Sequence, residues 1–148
     1  MTGLTPEGIE IDRDIAAPAS RVFRAFTSAE DFAVWFGTDQ VNVPAEELDF
    51  VAEPGREWRA TMVLPNGHRI NWTGDFREVT PDSRVVFTLT DQPDDPARAE
   101  VRVELTPFGE GTRVHVEQDT PGFPDDAKRA TIAGYEGFLD TLQRLVTA

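Results

Sequence analysis

The chain has 148 residues, and 14 Lys and Arg against 27 Asp and Glu give it a formal net charge of −13. This size and composition predict one soluble globular domain spanning residues 1–148, and the acidic balance opposes non-specific binding to nucleic acid or to anionic membrane surfaces. The absence of cysteine excludes disulfides, thiol nucleophiles and thiolate-bound metals.

The first predicted strand is followed by two short helices. Isoleucines alternate with acidic residues over 9–15, the period of two that is typical of a half-buried strand, and Arg13 falls on its inward side. A helix with apolar residues at packing distances opens at Pro18. Ser28, with an acidic residue three positions later, resembles a capping box for a second helix, which Gly37 ends.

The middle of the chain predicts a meander of strands. Alternating apolar and polar residues mark six segments, at 47–52, 57–64, 70–77, 85–89, 100–105 and 113–117. Asn66-Gly67 is a strong signal for a two-residue hairpin turn, and the stretch 91–96 is a polar, proline-bearing loop. The charged alternate positions indicate a sheet with one solvated face and one covered face.

Residues 124–146 predict one long amphipathic helix. A stripe at steps of three and four is the predicted buried side, and it contains a glycine where a bulky residue is expected: Thr131, Gly134, Phe138, Leu142 and Leu145. The predicted element order is therefore β-α-α-β-β-β-β-β-β-α.

Several motifs carry a family resemblance. They are Arg13 to Pro18 leading into Val22 to Phe26, Phe32 with the Trp35-Phe36-Gly37 triplet, Met62 to Gly67, Gly111-Thr112, and Gly134 to Leu142. With the element order, they resemble the START/SRPBCC superfamily and, within it, the family of the activator of heat-shock-protein-90 ATPase homologue. Tyr135, where tryptophan is frequent, and Glu53 to Arg56, where a glycine pair is common, depart from the pattern. The resemblance implies an α+β helix-grip fold like that of birch-pollen allergen, a curved antiparallel sheet around a long C-terminal helix.

That fold implies a cavity between the sheet and the last helix. The candidate ligand-binding residues are Trp35, Phe50, Trp58, Met62, Trp72, Phe76, Phe87, Gly134 and Phe138. Each aromatic residue taken alone fits ordinary core packing. The set as a whole, the curved sheet and the helix glycine favour a pocket for a small molecule, which typically measures about 300–1,000 Å³. The short helices and the 91–96 loop are predicted to border its mouth.

Three polar residues are candidate anchors for a ligand: Arg13, His68 and Tyr135. An inward guanidinium at Arg13 needs a partner, which either a ligand carboxylate or an internal carboxylate or carbonyl provides. His68 follows the hairpin turn, where it either acts as an acid or base or is simply solvated. His115 falls on the outward face. Two histidines on opposite faces, with no cysteine, predict neither a metal nor a metal cofactor, and no nucleophile or phosphate-loop motif occurs.

The main functional hypothesis is non-catalytic binding of a small apolar or aromatic molecule. The resemblance implies two alternatives: a cyclase or dehydratase that acts on a polyketide-like or aromatic substrate in the same cavity, and a co-chaperone-like protein-interaction module. We expect a cytoplasmic location, because the first residues lack the basic and apolar regions of a secretory signal. We also expect a monomer or homodimer with no cofactor, no nucleic-acid partner and no membrane partner.

Overall fold

The computed structural model of the chain describes residues 2–147, and within them seven antiparallel strands form one sheet. The strands are β1 Gly3–Leu4, β2 Gly8–Ile15, β3 Glu57–Val63, β4 Arg69–Thr80, β5 Arg84–Leu89, β6 Ala99–Phe108 and β7 Gly111–Asp119. Their order in the sheet is β1-β2-β7-β6-β5-β4-β3. The helices are α1 Ala19–Thr27, α2 Ala29–Gly37, a 3₁₀ helix Ala45–Glu47 and α3 Asp125–Thr147.

The α2 helix begins and ends where its local sequence predicts. Its N-cap is Ser28, whose hydroxyl accepts a hydrogen bond from the backbone N–H of Asp31 at 3.5 Å. Two acidic residues in its first turn face the positive end of the helix dipole. Thr38, with a φ of 56°, turns the chain away after Gly37. One side of the helix buries Phe32, Trp35 and Phe36, and this aromatic side fills much of the space under the sheet.

The strand alternation places one apolar face of the sheet against the helices. Ile11 of β2 lies opposite Val116 of β7, which in turn lies opposite Val103 of β6, and all three side chains are buried. The pairing of β4 with β5 shifts register between Phe76 and Glu78, and such a bulge bends the strand that contains it. The covered side of the sheet is therefore concave toward α3.

The helix-grip fold and the predicted element order are confirmed. The first of the six middle segments, 47–52, is present as one isolated bridge between Asp49 and Arg59 instead of a continuous ladder. The chain turns at Pro54 and Gly55, and Gly55 has a φ of 84°. This turn follows so closely that no further residue of the 47–52 segment pairs with β3. The two-residue strand β1 is an addition at the N-terminal edge.

The predicted buried stripe of α3 is only partly right. Leu142 is buried as predicted, but the other buried side chains are Tyr135, Leu139, Thr141 and Val146, so the buried face is turned from the predicted one by less than the roughly 100° that separates successive residues. An ion-pair cluster with β2 accompanies this orientation. Arg13 donates to Glu136 at 2.8 Å and lies 2.9 Å from a carboxylate oxygen of Asp140. It also donates to Gln143 at 3.0 Å, so these contacts fix which side of α3 faces the sheet.

Candidate functional site

A pocket of about 560 Å³ lies beside α3 and is open to solvent on one side. Its walls come from Phe36 of α2, Trp72 of β4, one side of α3 and two further segments. From the end of β5 to the start of β6 these are residues 89–92, 95 and 97–99, and from the end of β7 onward they are residues 118, 119, 121 and 123. The loop that was predicted to border the mouth contributes Asp91, Gln92 and Asp95. The volume falls within the range of about 300–1,000 Å³ that small-molecule sites occupy.

Aromatic rings form one continuous wall of this pocket. Phe36 stacks on Phe138 with ring centroids 5.3 Å apart, and it meets the edge of Trp72 at 5.5 Å. Tyr135 meets Phe138 edge-on at 5.8 Å. The interlocked rings fix one another's orientation, so an apolar surface is held ready for a flat or apolar guest.

Gly134 leaves the helix surface uncovered beside this wall. A Cβ atom added to Gly134 would meet no atom within 4 Å, and the residue lines the pocket. The stripe that contains Thr131, Gly134 and Phe138, predicted to be buried core, therefore faces the open space instead.

Three polar groups are positioned in the walls. The hydroxyl of Tyr135 donates a hydrogen bond to the side-chain oxygen of Gln118, and both residues line the pocket. Burial raises the pKa of Tyr135, so its phenol stays protonated at neutral pH and acts as a donor. Within residues 2–147 the buried indole Nε1 of Trp72 has no hydrogen-bond partner.

Charged residues surround the mouth. Asp119 is held by Arg102, with N–O distances of 2.9 and 3.3 Å. Arg98 also lines the pocket, and its guanidinium donates to the main-chain oxygens of Asp95 and, at 3.0 Å, Ala97. The rim therefore contains a guanidinium that is bound only to neutral backbone acceptors.

The structure separates the predicted ligand-binding residues into two groups. Trp72, Gly134 and Phe138 line the pocket. The other six, all buried in the hydrophobic core and absent from the pocket lining, are Trp35, Phe50, Trp58, Met62, Phe76 and Phe87.

The aromatic side of α2 is the reason that these six lie in the core. Phe32 stacks on Phe50 with centroids 4.2 Å apart and meets the edge of Trp58 at 5.5 Å, so α2 occupies the inner part of the concave space. The indole of Trp58 is also fixed by a 3.0 Å hydrogen bond to the carbonyl of Thr88. Gly74 makes room for this contact, since a Cβ there would lie 2.8 Å from the indole nitrogen.

The three predicted polar anchors, Arg13, His68 and Tyr135, do not meet in one site. Tyr135 lines the pocket, whereas Arg13 is engaged by the side chains of α3 and His68 is exposed in the turn between β3 and β4. His115 lies on the outer face, with its Nδ1 2.5 Å from Asp12 and its Nε2 3.0 Å from Glu117. Burial disfavours the charged imidazole, but hydrogen bonds to these two carboxylates outweigh it and raise the pKa of His115.

Several lining residues were missed by the sequence interpretation. Gln118 continues the inward alternation of Val114 and Val116, so extending that pattern by two residues would have found it. Phe36 was named as part of the Trp35-Phe36-Gly37 motif, without a role in the site. Arg98 and Phe123 lie in irregular segments, where no periodicity indicates direction.

Within the described part of the chain, no group of three or more His, Asp or Glu residues is arranged to hold a metal ion. None of the helices formed by residues 2–147 has both the length and the apolar character needed to cross a membrane.

Comparison with known families identifies the class of protein. The family described as "Activator of Hsp90 ATPase homolog 1-like protein" matches residues 16–147. The chain belongs to this family, which is part of the SRPBCC superfamily. Comparison with curated proteins found no significant match.

Solved structures show the same fold. A protein from Chromobacterium violaceum has 22% identity and a TM-score of 0.83, and the match covers 97% of this chain and 99% of that chain. The AHSA1 protein from Silicibacter pomeroyi has 23% identity and a TM-score of 0.81, with 93% and 96% covered. A protein of the dynemicin biosynthetic locus has 22% identity and a TM-score of 0.75, with 94% of this chain and 46% of that chain covered. At these identities the similarity establishes the fold alone.

Proposed function

We propose that the protein binds a small apolar or aromatic molecule in the pocket beside α3 and does not transform it. The observation that carries this proposal is the open space over Gly134, in a pocket that Phe36, Trp72 and Phe138 also line. A glycine in the middle of a helix costs about 0.5–1 kcal/mol relative to alanine. A site for a guest gives this glycine a physical role.

The pocket walls match what an apolar guest requires. Stacked and edge-on rings bury large apolar areas without the loss of many rotamers. The walls carry few polar groups: the hydroxyl of Tyr135, whose proton is donated to Gln118, and the indole N–H of Trp72, which has no partner among residues 2–147 and can donate to one acceptor on the guest.

The enzyme alternative has less support. Of its three candidate groups, Tyr135 lines the pocket, whereas Arg13 and His68 do not. The likeness to a protein of a biosynthetic locus is a likeness of fold. The co-chaperone alternative is supported by the family description alone, and recovery of a chaperone by the immobilised protein, followed by stimulation of its ATPase, would favour it.

The binding proposal is tested with N-phenylnaphthylamine, a neutral aromatic dye whose fluorescence rises in apolar surroundings. We expect saturable binding of one dye per chain and thermal stabilisation that grows with dye concentration, since a ligand at about 100 times its Kd stabilises the folded state by about 2.7 kcal/mol. NMR shifts caused by the dye should centre on residues of the pocket.

A matched pair of variants locates the dye. Phe138→Leu removes a ring from the pocket wall, and the loss of an aromatic contact with the dye worth about 0.5–1.5 kcal/mol should weaken binding about two- to tenfold. Phe108→Leu, at a half-exposed position at the end of β6, should leave the affinity unchanged. Absence of saturable binding, or equal effects of the two substitutions, would refute the proposal.

A further inference from the structure

Two cationic side chains of the described residues differ from all the others. Every arginine in residues 2–147 except Arg98 forms an ion pair with a carboxylate. Arg98 donates to main-chain oxygens, and Lys128, the only lysine of the chain, donates to the main-chain oxygen of Thr5 at 2.9 Å. In a chain of net charge −13, two cations without a carboxylate partner are unexpected.

Both cations line one cleft, which measures about 450 Å³ and adjoins the ligand pocket. The cleft and the pocket share Arg98, Asp119, Pro121 and Phe123 in their walls. A molecule bound in the pocket can therefore extend into the cleft.

The cleft also has a buried hydroxyl that lacks a partner. Thr120 lines it with a side chain that is 2% exposed, and within residues 2–147 its Oγ1 forms no hydrogen bond. A buried hydroxyl left unpaired is destabilising, and an acceptor on a ligand would satisfy it.

The acidic residues of the cleft offset its two cations only in part. Glu7 and Asp119 also line it, but Asp119 is already engaged by Arg102 at 2.9 Å, so Glu7 is the acidic lining residue that opposes Arg98 and Lys128. The remaining negative charge of the chain acts weakly at a distance, because salt at physiological ionic strength screens charges beyond about 8 Å. Contacts inside the cleft therefore decide which charge it prefers.

We propose that the pocket and this cleft together bind a molecule with an apolar, aromatic body and one anionic, oxygen-bearing group. The body lies against the aromatic wall, and the anionic oxygens accept hydrogen bonds from Arg98, Lys128 and the hydroxyl of Thr120. Hydrogen bonds from charged donors to an anion are about twice as strong as neutral ones. This inference rests on the proposed binding function and adds the chemical class of the ligand.

The test compares two dyes that differ only in the anionic group: anilinonaphthalenesulfonate and its neutral parent, N-phenylnaphthylamine. We expect the wild type to bind the sulfonate at least tenfold more tightly. In an Arg98→Gln, Lys128→Gln double variant this preference should disappear, while the affinity for the neutral dye changes less than twofold. A double variant with the same change of charge, Arg129→Gln with Arg144→Gln, alters exposed residues of α3 outside the cleft and should keep the preference.

A second variant tests the unpaired hydroxyl. Thr120→Val removes it at nearly constant volume, so the urea midpoint should stay the same or rise, while sulfonate affinity falls about tenfold. The urea midpoint of every variant is measured first, because anilinonaphthalenesulfonate also binds partly unfolded chains.

The outcomes separate the two proposals. Binding of the neutral dye without a preference for the sulfonate overturns this inference and leaves the proposed function standing. A preference that survives in the Arg98→Gln, Lys128→Gln variant, or that is lost equally in the control, also overturns it. Failure of the wild type to bind the neutral dye refutes the proposed function, and this inference falls with it.

Discussion

Replacement of Gly134 by leucine tests whether the space beside α3 is a binding site. The added side chain enters the pocket without a clash, because a Cβ at this position meets no atom within 4 Å. Leucine is a better helix former than glycine by about 0.6–1 kcal/mol, so Gly134→Leu should raise the free energy of unfolding by that amount. For a chain of this length, the corresponding rise in Tm is about 2–4 °C.

The same substitution should weaken ligand binding. The leucine side chain occupies volume that a guest would otherwise fill. A guest that gives up contacts equal to two methylene groups loses about 1.6 kcal/mol, somewhat more than tenfold in Kd. The Kd is measured by titration with N-phenylnaphthylamine, and stability is measured by urea unfolding.

Gly137 provides the matched control. It lies in the same helix, a Cβ there also meets no atom within 4 Å, and it does not line the pocket. Gly137→Leu should therefore stabilise the fold similarly and leave the affinity unchanged. If Gly134→Leu and Gly137→Leu bind the dye equally well, the pocket beside α3 is not the dye-binding site. If Gly134→Leu lowers the free energy of unfolding, the space beside Gly134 is not open.

Three further predictions concern buried or half-buried polar contacts. Arg13→Leu should lower the free energy of unfolding in urea by about 1–3 kcal/mol, because it removes charged hydrogen bonds to α3. Because the pKa of His115 is raised in the folded state, its protonated form stabilises the fold. This contribution to the free energy of unfolding is complete below about pH 6.5 and is lost as the pH rises through the folded-state pKa. In His115→Gln, the free energy of unfolding measured across the same pH range should not show this decline. Tyr135→Phe should cost about 1–3 kcal/mol in the same assay, since it leaves a buried amide oxygen without its donor.

Each of these predictions has its own control. A double-mutant cycle of Arg13→Leu with Glu136→Gln should give a clear coupling energy, and a value near zero would contradict the ion pair. His68→Gln changes the exposed histidine and should keep the pH dependence of the wild type, so equal flattening in both histidine variants would count against His115. Pairing Tyr135→Phe with Gln118→Met should restore part of the lost stability, because both polar partners are then removed.

Local patterns of residues were enough to predict the elements and their order. The alternation along β6 and β7 predicted which side chains face the core, because successive residues of a strand point to opposite faces. Ser28 predicted the start of α2, since a capping side chain acts within one turn of its own helix. These signals depend on near neighbours in the chain, which the sequence displays directly.

The orientation of α3 and the position of the pocket depended on contacts between distant residues. Two apolar stripes of this helix overlap, one through Tyr135 and Leu139 and one through Gly134 and Phe138, and spacing alone does not choose between them. The burial of the first stripe against the sheet, together with the ion pairs that α3 forms with Arg13, more than a hundred residues away in the chain, holds the helix in the observed orientation.

Tertiary contacts also decided which aromatic residues lie in the core and which line the pocket. Periodicity predicts that a side chain points inward, but not whether another element already fills the space that it meets. Here the aromatic side of α2, carried by Phe32 and Phe36, packs into the inner part of the concave sheet, and only the region near Gly134 stays open. The sequence thus determined the sheet and its covered face, whereas competition for volume among distant segments decided where a guest has room.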